Sequence, residues 1–208
     1  MSIGEYSERE ERLNFLTHAL ALLLSLVAAF ILFEKAQSSQ KSFAESAALI
    51  FSGCLSFTFL SSSAYHAARR GKAKLFFKKL DHAAIFIMML GIYVALALLS
   101  SAGSAFKIAF IGAVSTFALA GVGLKFFVSA DGTKKWSIPM YILFGMSVIA
   151  LFPFLSLKSI IALLSAAAFD LLGICFYVRK DREFTHAIWH LFSMSAACFD
   201  WLAVWFAL

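Results

Sequence analysis

The stretch LNFLTHALALLLSLVAAFILF, residues 13–33, runs for 21 residues without one charged side chain. A helix rises about 1.5 Å per residue and the hydrocarbon core of a bilayer is about 30 Å thick, so this run is long enough to cross it. The polar, mostly acidic lead MSIGEYSEREER comes before it. A secretory signal needs a basic start and an apolar stretch of only about 7–15 residues, so the run reads as a first membrane span and not as a cleavable leader.

Six further runs pass the same test: Phe43–Tyr65, Asp81–Ser101, Phe106–Val128, Trp136–Leu155, Ser159–Val178 and Phe184–Phe206. The whole chain agrees with them. Of its 208 residues, 62% are hydrophobic and 14% charged, and the mean hydropathy is +0.86. A soluble domain averages about 45–50% apolar and about 25% charged, so a single core could not hide this much apolar surface. The expected class is all-α: a polytopic protein of the cell membrane, with a short tail over residues 1–12 and one seven-helix domain over 13–208. The net charge of +6 does not point to nucleic acid, because the basic residues sit in short loops where they set topology. Cys54, Cys175 and Cys198 all lie inside apolar runs without C-x2-C spacing. That argues against both a disulfide framework and a thiolate metal site.

Orientation follows from lysine and arginine. With the N-terminus in the cytoplasm, fourteen basic residues fall inside: Arg9 and Arg12, six between Arg69 and Lys79, then Lys125, Lys134, Lys135, Arg179, Lys180 and Arg182. Only Lys35, Lys41, Lys107 and Lys158 fall outside. The asymmetry predicts a cytoplasmic N-terminus and an external C-terminus. It argues against a G-protein-coupled receptor, whose N-terminus is outside. The seventh run holds no lysine, which excludes a retinal Schiff base there.

This topology gathers the histidines. His18 opens the first span, His66 closes the second, His82 opens the third, and His186 and His190 open the seventh. All five then share one depth near the cytoplasmic face, and ionisable groups at membrane depth are functional candidates by default. His186 and His190, spaced H-x3-H, lie one turn apart on one helix face and can grip one ion. That spacing alone is weak. Ser62 stands one turn before His66. Asp81 opens the third span, where a carboxylate can equally be a helix N-cap. Three neutral imidazoles make a Zn²⁺ site with a fourth position open to water, as in catalytic zinc. A nearby carboxylate can take a proton there, and a serine can donate a hydrogen bond to a developing oxyanion.

The motifs together resemble the hemolysin III family, the prokaryotic branch of the progestin and adipoQ receptors, which are in turn similar to the alkaline ceramidases. Glu11, Asn14, Thr17 and His18 match E-x2-N-x2-T-H; Ser62 and His66, with Tyr65, match S-x3-H. Leu80, Asp81 and His82 match L-D-H, leading to Gly91 and Tyr93, and His186, Ile188, Trp189 and His190 match H-x-I-W-H. The resemblance implies that His66, His186 and His190 bind zinc, that Asp81 and Ser62 act beside it, and that His18 and His82 are not ligands. It implies a zinc-dependent hydrolase of lipid amides or esters, with membrane lipids as substrate or ligand. A zinc-braced membrane sensor is the alternative, and a pore or transporter comes third.

The chain departs from the family pattern in three places. Gly91-Ile92-Tyr93-Val94-Ala95 replaces G-T-Y-T-P, Ala166, Ala167 and Asp170 replace a Gly-Gly pair and a tyrosine, and Asp200 replaces a late histidine. The two acids suggest a polar cavity reaching past the metal, or two carboxylates paired locally with a hydroxyl or amide.

The orientation has a direct check. A cysteine placed between Arg69 and Lys79 should resist a membrane-impermeant thiol reagent in intact cells, and one appended after Leu208 should react. The reverse pattern would overturn the charge count.

Overall fold

The structure, a computed structural model, describes residues 6–128, 130–179 and 182–208, with the side chains of 130–135 left out. Lys134, Lys135 and Lys180, counted above for orientation, therefore lie outside the described side chains, as do residues 1–5 of the tail. The helices are α1 (Glu8–Ser38), α2 (Ala44–Ala67), α3 (Lys72–Leu99), α4 (Ser104–Phe127), α5 (Ala130–Met146), α6 (Leu157–Tyr177) and α7 (Thr185–Ala207), with a 3₁₀ segment, Ser147–Phe154, extending α5. All seven spans are long and apolar enough to cross a membrane.

Three boundaries differ from the sequence reading. First, α1 begins at Glu8, inside the expected tail, because Ser7 and Glu10 form a capping box. Second, α3 begins at Lys72, so Asp81 stands more than two turns inside the helix and does not cap it. The basic segment KAKLFFKKL is amphipathic and continues the helix past the apolar run. Third, the fifth span is not one α-helix. Pro139 lies within α5 and Pro153 within the 3₁₀ segment. A proline removes an amide donor and clashes with the preceding turn, which disfavours an unbroken α-helix.

The helices α1, α2 and α3 pack in sequence, and α7 closes against α1 and α3. α6 makes its extensive contact with α7 alone. Between lipid-solvated helices there is no hydrophobic drive to associate, so close approach of small residues matters more. Here Ala44, Ala47 and Ala48 of α2 and Ala83, Ala84, Ala95 and Ala97 of α3 are buried, while Leu16, Leu20, Leu23, Val27 and Phe30 of α1 are exposed. A Cβ on Gly91 would lie 2.5 Å from the Cys54 Cβ. Gly91 is thus where α3 touches α2.

At the end of the bundle where α1 finishes, the carbonyl ends of helices receive lysines. Lys35 Nζ donates to Trp205 O and Lys41 Nζ to Ala207 O, each at 2.6 Å, and Lys107 Nζ donates to Leu98 O at 2.9 Å. Cations there satisfy orphan carbonyls and oppose the helix dipole.

Gly91→Ala should overpack the α2–α3 contact and cost about 1–3 kcal/mol, read as a lower melting temperature. Gly53→Ala, with nothing within 4 Å of the new methyl, is the control and should leave the melting temperature unchanged or slightly raised.

Candidate metal centre

The polar face of α1 organises the site. Its buried stripe is Glu10, Asn14, His18, Ala21, Ser25, Leu32 and Ala36, a spacing of three or four that keeps one side of the helix towards the bundle. The stripe is polar at its N-terminal end and mostly apolar at the other. Glu10 commits one carboxylate oxygen to the Ser7 amide and the other to the Phe184 amide, at 2.9 and 3.0 Å. Phe184 has φ 62°, the left-handed region, immediately before α7. A bulky residue seldom adopts that conformation, and the Glu10 bond helps hold the chain there as α7 starts.

α7 then presents His186 and His190, and the last turn of α2 presents His66. One ligand nitrogen from each of the three rings lies within 4.8 Å of the others, and all three residues are buried. The three histidines expected as ligands therefore converge. Among the described residues they are the only such group of histidine, cysteine or carboxylate side chains.

Hydrogen bonds at the far side of two rings fix what those rings offer. His66 Nδ1 lies 2.7 Å from Glu11 Oε2, and Lys74 Nζ lies 2.7 Å from Glu11 Oε1. A carboxylate held by a lysine accepts, so His66 donates from Nδ1 and keeps its Nε2 lone pair for a cation. His190 Nδ1 lies 2.9 Å from the Thr17 hydroxyl, which donates its own hydrogen to Asn14 O at 2.9 Å. Thr17 can then only accept from His190, so His190 also keeps an Nε2 lone pair. Both Nε2 atoms are buried without a hydrogen-bond partner. Such orphans cost about 1–3 kcal/mol each, and a metal ion would satisfy both. Carboxylate or hydroxyl partners behind ligating imidazoles are the usual supporting arrangement of metal sites. The donor set fits a divalent ion of the zinc type.

Around the trio, Tyr6 stands 4.8 Å from the His186 ring, and Trp189 stands 4.9 Å from it. The His18 ring stacks on His190 at 3.6 Å and stays outside the ligand group, as does half-buried His82, whose carbonyl accepts from Tyr141 at 2.8 Å. Asp81 is buried beside His66, within its electrostatic field, and is not among the converging ligands. The Ser62 hydroxyl stands next to the Asp81 carboxylate but closes no hydrogen bond of ordinary geometry.

Asp170 is exposed on α6, and Asp200 is half-buried on α7. The two feel each other and the Tyr93 hydroxyl only electrostatically. That hydroxyl is committed to the carbonyls of Phe144 and Gly145.

Comparison with known proteins settles the family. The family model Haemolysin-III related matches residues 6–201. The chain belongs to that family. It is similar to Hemolysin-3 of Bacillus cereus, 26% identical over 95% of this chain and 91% of that protein. It is also similar to a Hemolysin-3 homolog of Bacillus subtilis (strain 168), 29% identical over 93% of each. No solved structure matches the chain. Family membership and seven apolar helices together make this a multi-pass protein of the cell membrane.

Four participants escaped the sequence reading. Glu11 and Thr17 were visible only as motif positions, Lys74 only as a topology charge, and Tyr6 not at all. The spacing of Glu11, Asn14 and His18 along one face held the available signal.

Two outcomes follow for the metal. The parent should co-purify with about one zinc ion per chain, and His66→Ala, His186→Ala and His190→Ala should each lose it. Thr17→Val should keep the fold, Glu11→Gln should lower the melting temperature because it leaves buried Lys74 without its carboxylate, and both should weaken zinc binding roughly 10- to 100-fold, measured by competition with a chelator.

Proposed function

We propose that the chain is a zinc-dependent hydrolase of lipid amides or esters, acting at the cytoplasmic end of the bundle. The observation that carries this reading is the trio of imidazoles, two of them with preset tautomers, beside a buried carboxylate that is not itself a ligand. A structural zinc site is usually closed by four protein ligands, whereas a catalytic one keeps a position open. Three imidazoles suit Zn²⁺ better than hard cations, which prefer oxygen.

Zinc, when bound, supplies Lewis acidity and brings the acidity of water close to neutrality. The chain's own residues supply the rest. Asp81 is placed to accept the proton of the attacking water at its carboxylate and to pass it to the departing amine or alcohol. Ser62, beside Asp81, can orient that carboxylate or donate to the oxygen of the substrate carbonyl. His66 is held by Glu11 and His190 by Thr17, so neither ring needs to reorient during turnover. Tyr6 and Trp189, against His186, line the polar end with aromatic surface. The seven spans place this chemistry beside acyl chains, which supports a lipid as the substrate.

Asp81→Asn tests the assignment. The amide cannot take up a proton at neutral pH, so fatty-acid release should fall by roughly 10²- to 10⁴-fold, the usual contribution of a general base. Zinc per chain and melting temperature should hold. Full turnover in Asp81→Asn would remove Asp81 as the base. A parent that releases no fatty acid from any ester or amide lipid would overturn the hydrolase and favour a zinc-braced sensor.

A further inference from the structure

The polar residues along the inner face of α1 are almost all satisfied. Glu10 and Glu11 bind amides, a lysine and a histidine, Thr17 bridges Asn14 O and His190, and Ser25 bonds Leu22 O and Ser56. Two side chains in the middle of this stripe are not. Asn14 is 0% exposed and His18 is 3% exposed. Among the described residues, neither the amide oxygen and nitrogen of Asn14 nor either ring nitrogen of His18 has a hydrogen-bond partner. Four orphaned atoms on two adjacent residues are unusual, since buried polar groups are nearly always paired.

The two residues are four apart on one helix, so their Cβ atoms lie about 5–6 Å apart on the same face. His18 lies with one ring face against His190, 3.6 Å away, and makes a T-shaped contact with Phe59 at 5.3 Å. The stack occupies that ring face and leaves both ring nitrogens without a partner to serve a ligand. Asn14 offers donors and an acceptor, and a neutral imidazole offers one of each. The complement is a small group that donates and accepts at once. Charge selects further. An anion would meet Glu10 and Glu11 on the same helix, with Lys74 already committed to Glu11. A cation would meet the divalent ion of the adjoining site.

We propose that Asn14 and His18 form a subsite for an uncharged hydroxyl group of the lipid substrate, next to the histidine trio on its α1 side. The subsite rests on the lipid-directed reading above, but it is read out by binding and not by turnover.

The test uses the full, zinc-loaded chain, with turnover removed by Asp81→Asn in parent and variants alike for the binding measurements, and two probes that share an acyl ester: 1-mono-octanoylglycerol, which carries hydroxyls, and methyl octanoate, which carries none. Calorimetry should show the parent preferring the glycerol ester. Asn14→Leu and His18→Phe should each raise its Kd roughly tenfold, the loss expected for a hydrogen bond in a buried site. Neither should change the Kd for methyl octanoate or the zinc content per chain. Because phenylalanine preserves the ring stack on His190, His18→Phe carries the test if Asn14→Leu fails to fold. Equal affinity of parent and variants for the glycerol ester would show that water alone satisfies these atoms and would overturn the subsite. Loss of zinc in His18→Phe, or a parent without preference between the probes, would overturn it as well. Selective binding by a parent that releases no fatty acid would refute the hydrolase and leave the subsite standing.

Discussion

Two consecutive glutamates, Glu10 and Glu11, tie the histidine end of the bundle together. Successive residues on a helix point about 100° apart, so the pair reaches two different neighbours. Glu10 takes the amide that starts α7, while Glu11 takes His66 at the end of α2 and Lys74 at the start of α3. Four helices are thereby registered by one dipeptide. Such an arrangement is costly unless every charge is matched, because a half-buried carboxylate that loses its partners keeps the desolvation penalty without the compensating attraction. Here each oxygen of both carboxylates has a partner, and Lys74 is buried with its ammonium also on Tyr65 O. The histidine trio adjoins this clamp, which holds His66 through Glu11.

The remaining bundle follows a different logic. Away from the histidines, helices meet through alanines, Gly91 and a few hydroxyls, such as Thr58, which reaches Cys54 O of its own helix and Ala84 O of α3. At the opposite end of the bundle, Lys35, Lys41 and Lys107 engage the carbonyl ends of α7 and α3. These three belong to the minority of basic residues in the charge count. Their engagement gives a local reason for lysines at that end. Polar side chains thus divide by position, with capping groups at one end and a converging site at the other.

How much of this could be read from the sequence depends on the range of the interaction. Seven spans were legible because hydropathy is a local property summed over about 20 residues. The histidine trio was legible only in part: H-x3-H sets two histidines on one helix face, the topology brings His18, His66 and His82 to the same depth, and the family resemblance alone singled out His66 as the third. Asp81 was placed at the start of its span because the apolar run starts there, but the amphipathic segment before it is helical too. Charge content could not reveal that. The tautomers were out of reach for a stricter reason. That Thr17 accepts from His190 depends on where its own hydrogen goes, and that depends on the Asn14 carbonyl one turn back. Lys74 shows the same limit: six basic residues lie between Arg69 and Lys79, and only packing distinguishes the one that turns inward.

The clamp also bears on what a metal ion would be for. A bracing metal is needed where helices lack other cross-links at the same level, as in small domains that fold only when loaded. Here α1 is already joined to α2 through Glu11 and His66, to α7 through Glu10 and through Thr17 and His190, and to α3 through Lys74. The helices at the trio are therefore held by the protein's own hydrogen bonds and ion pairs. Two ligand lone pairs are aimed before any ion arrives. An ion bound to such a preset site would add little to the cohesion of the bundle. That reasoning favours chemistry over bracing, and it draws on residues outside the ligand set.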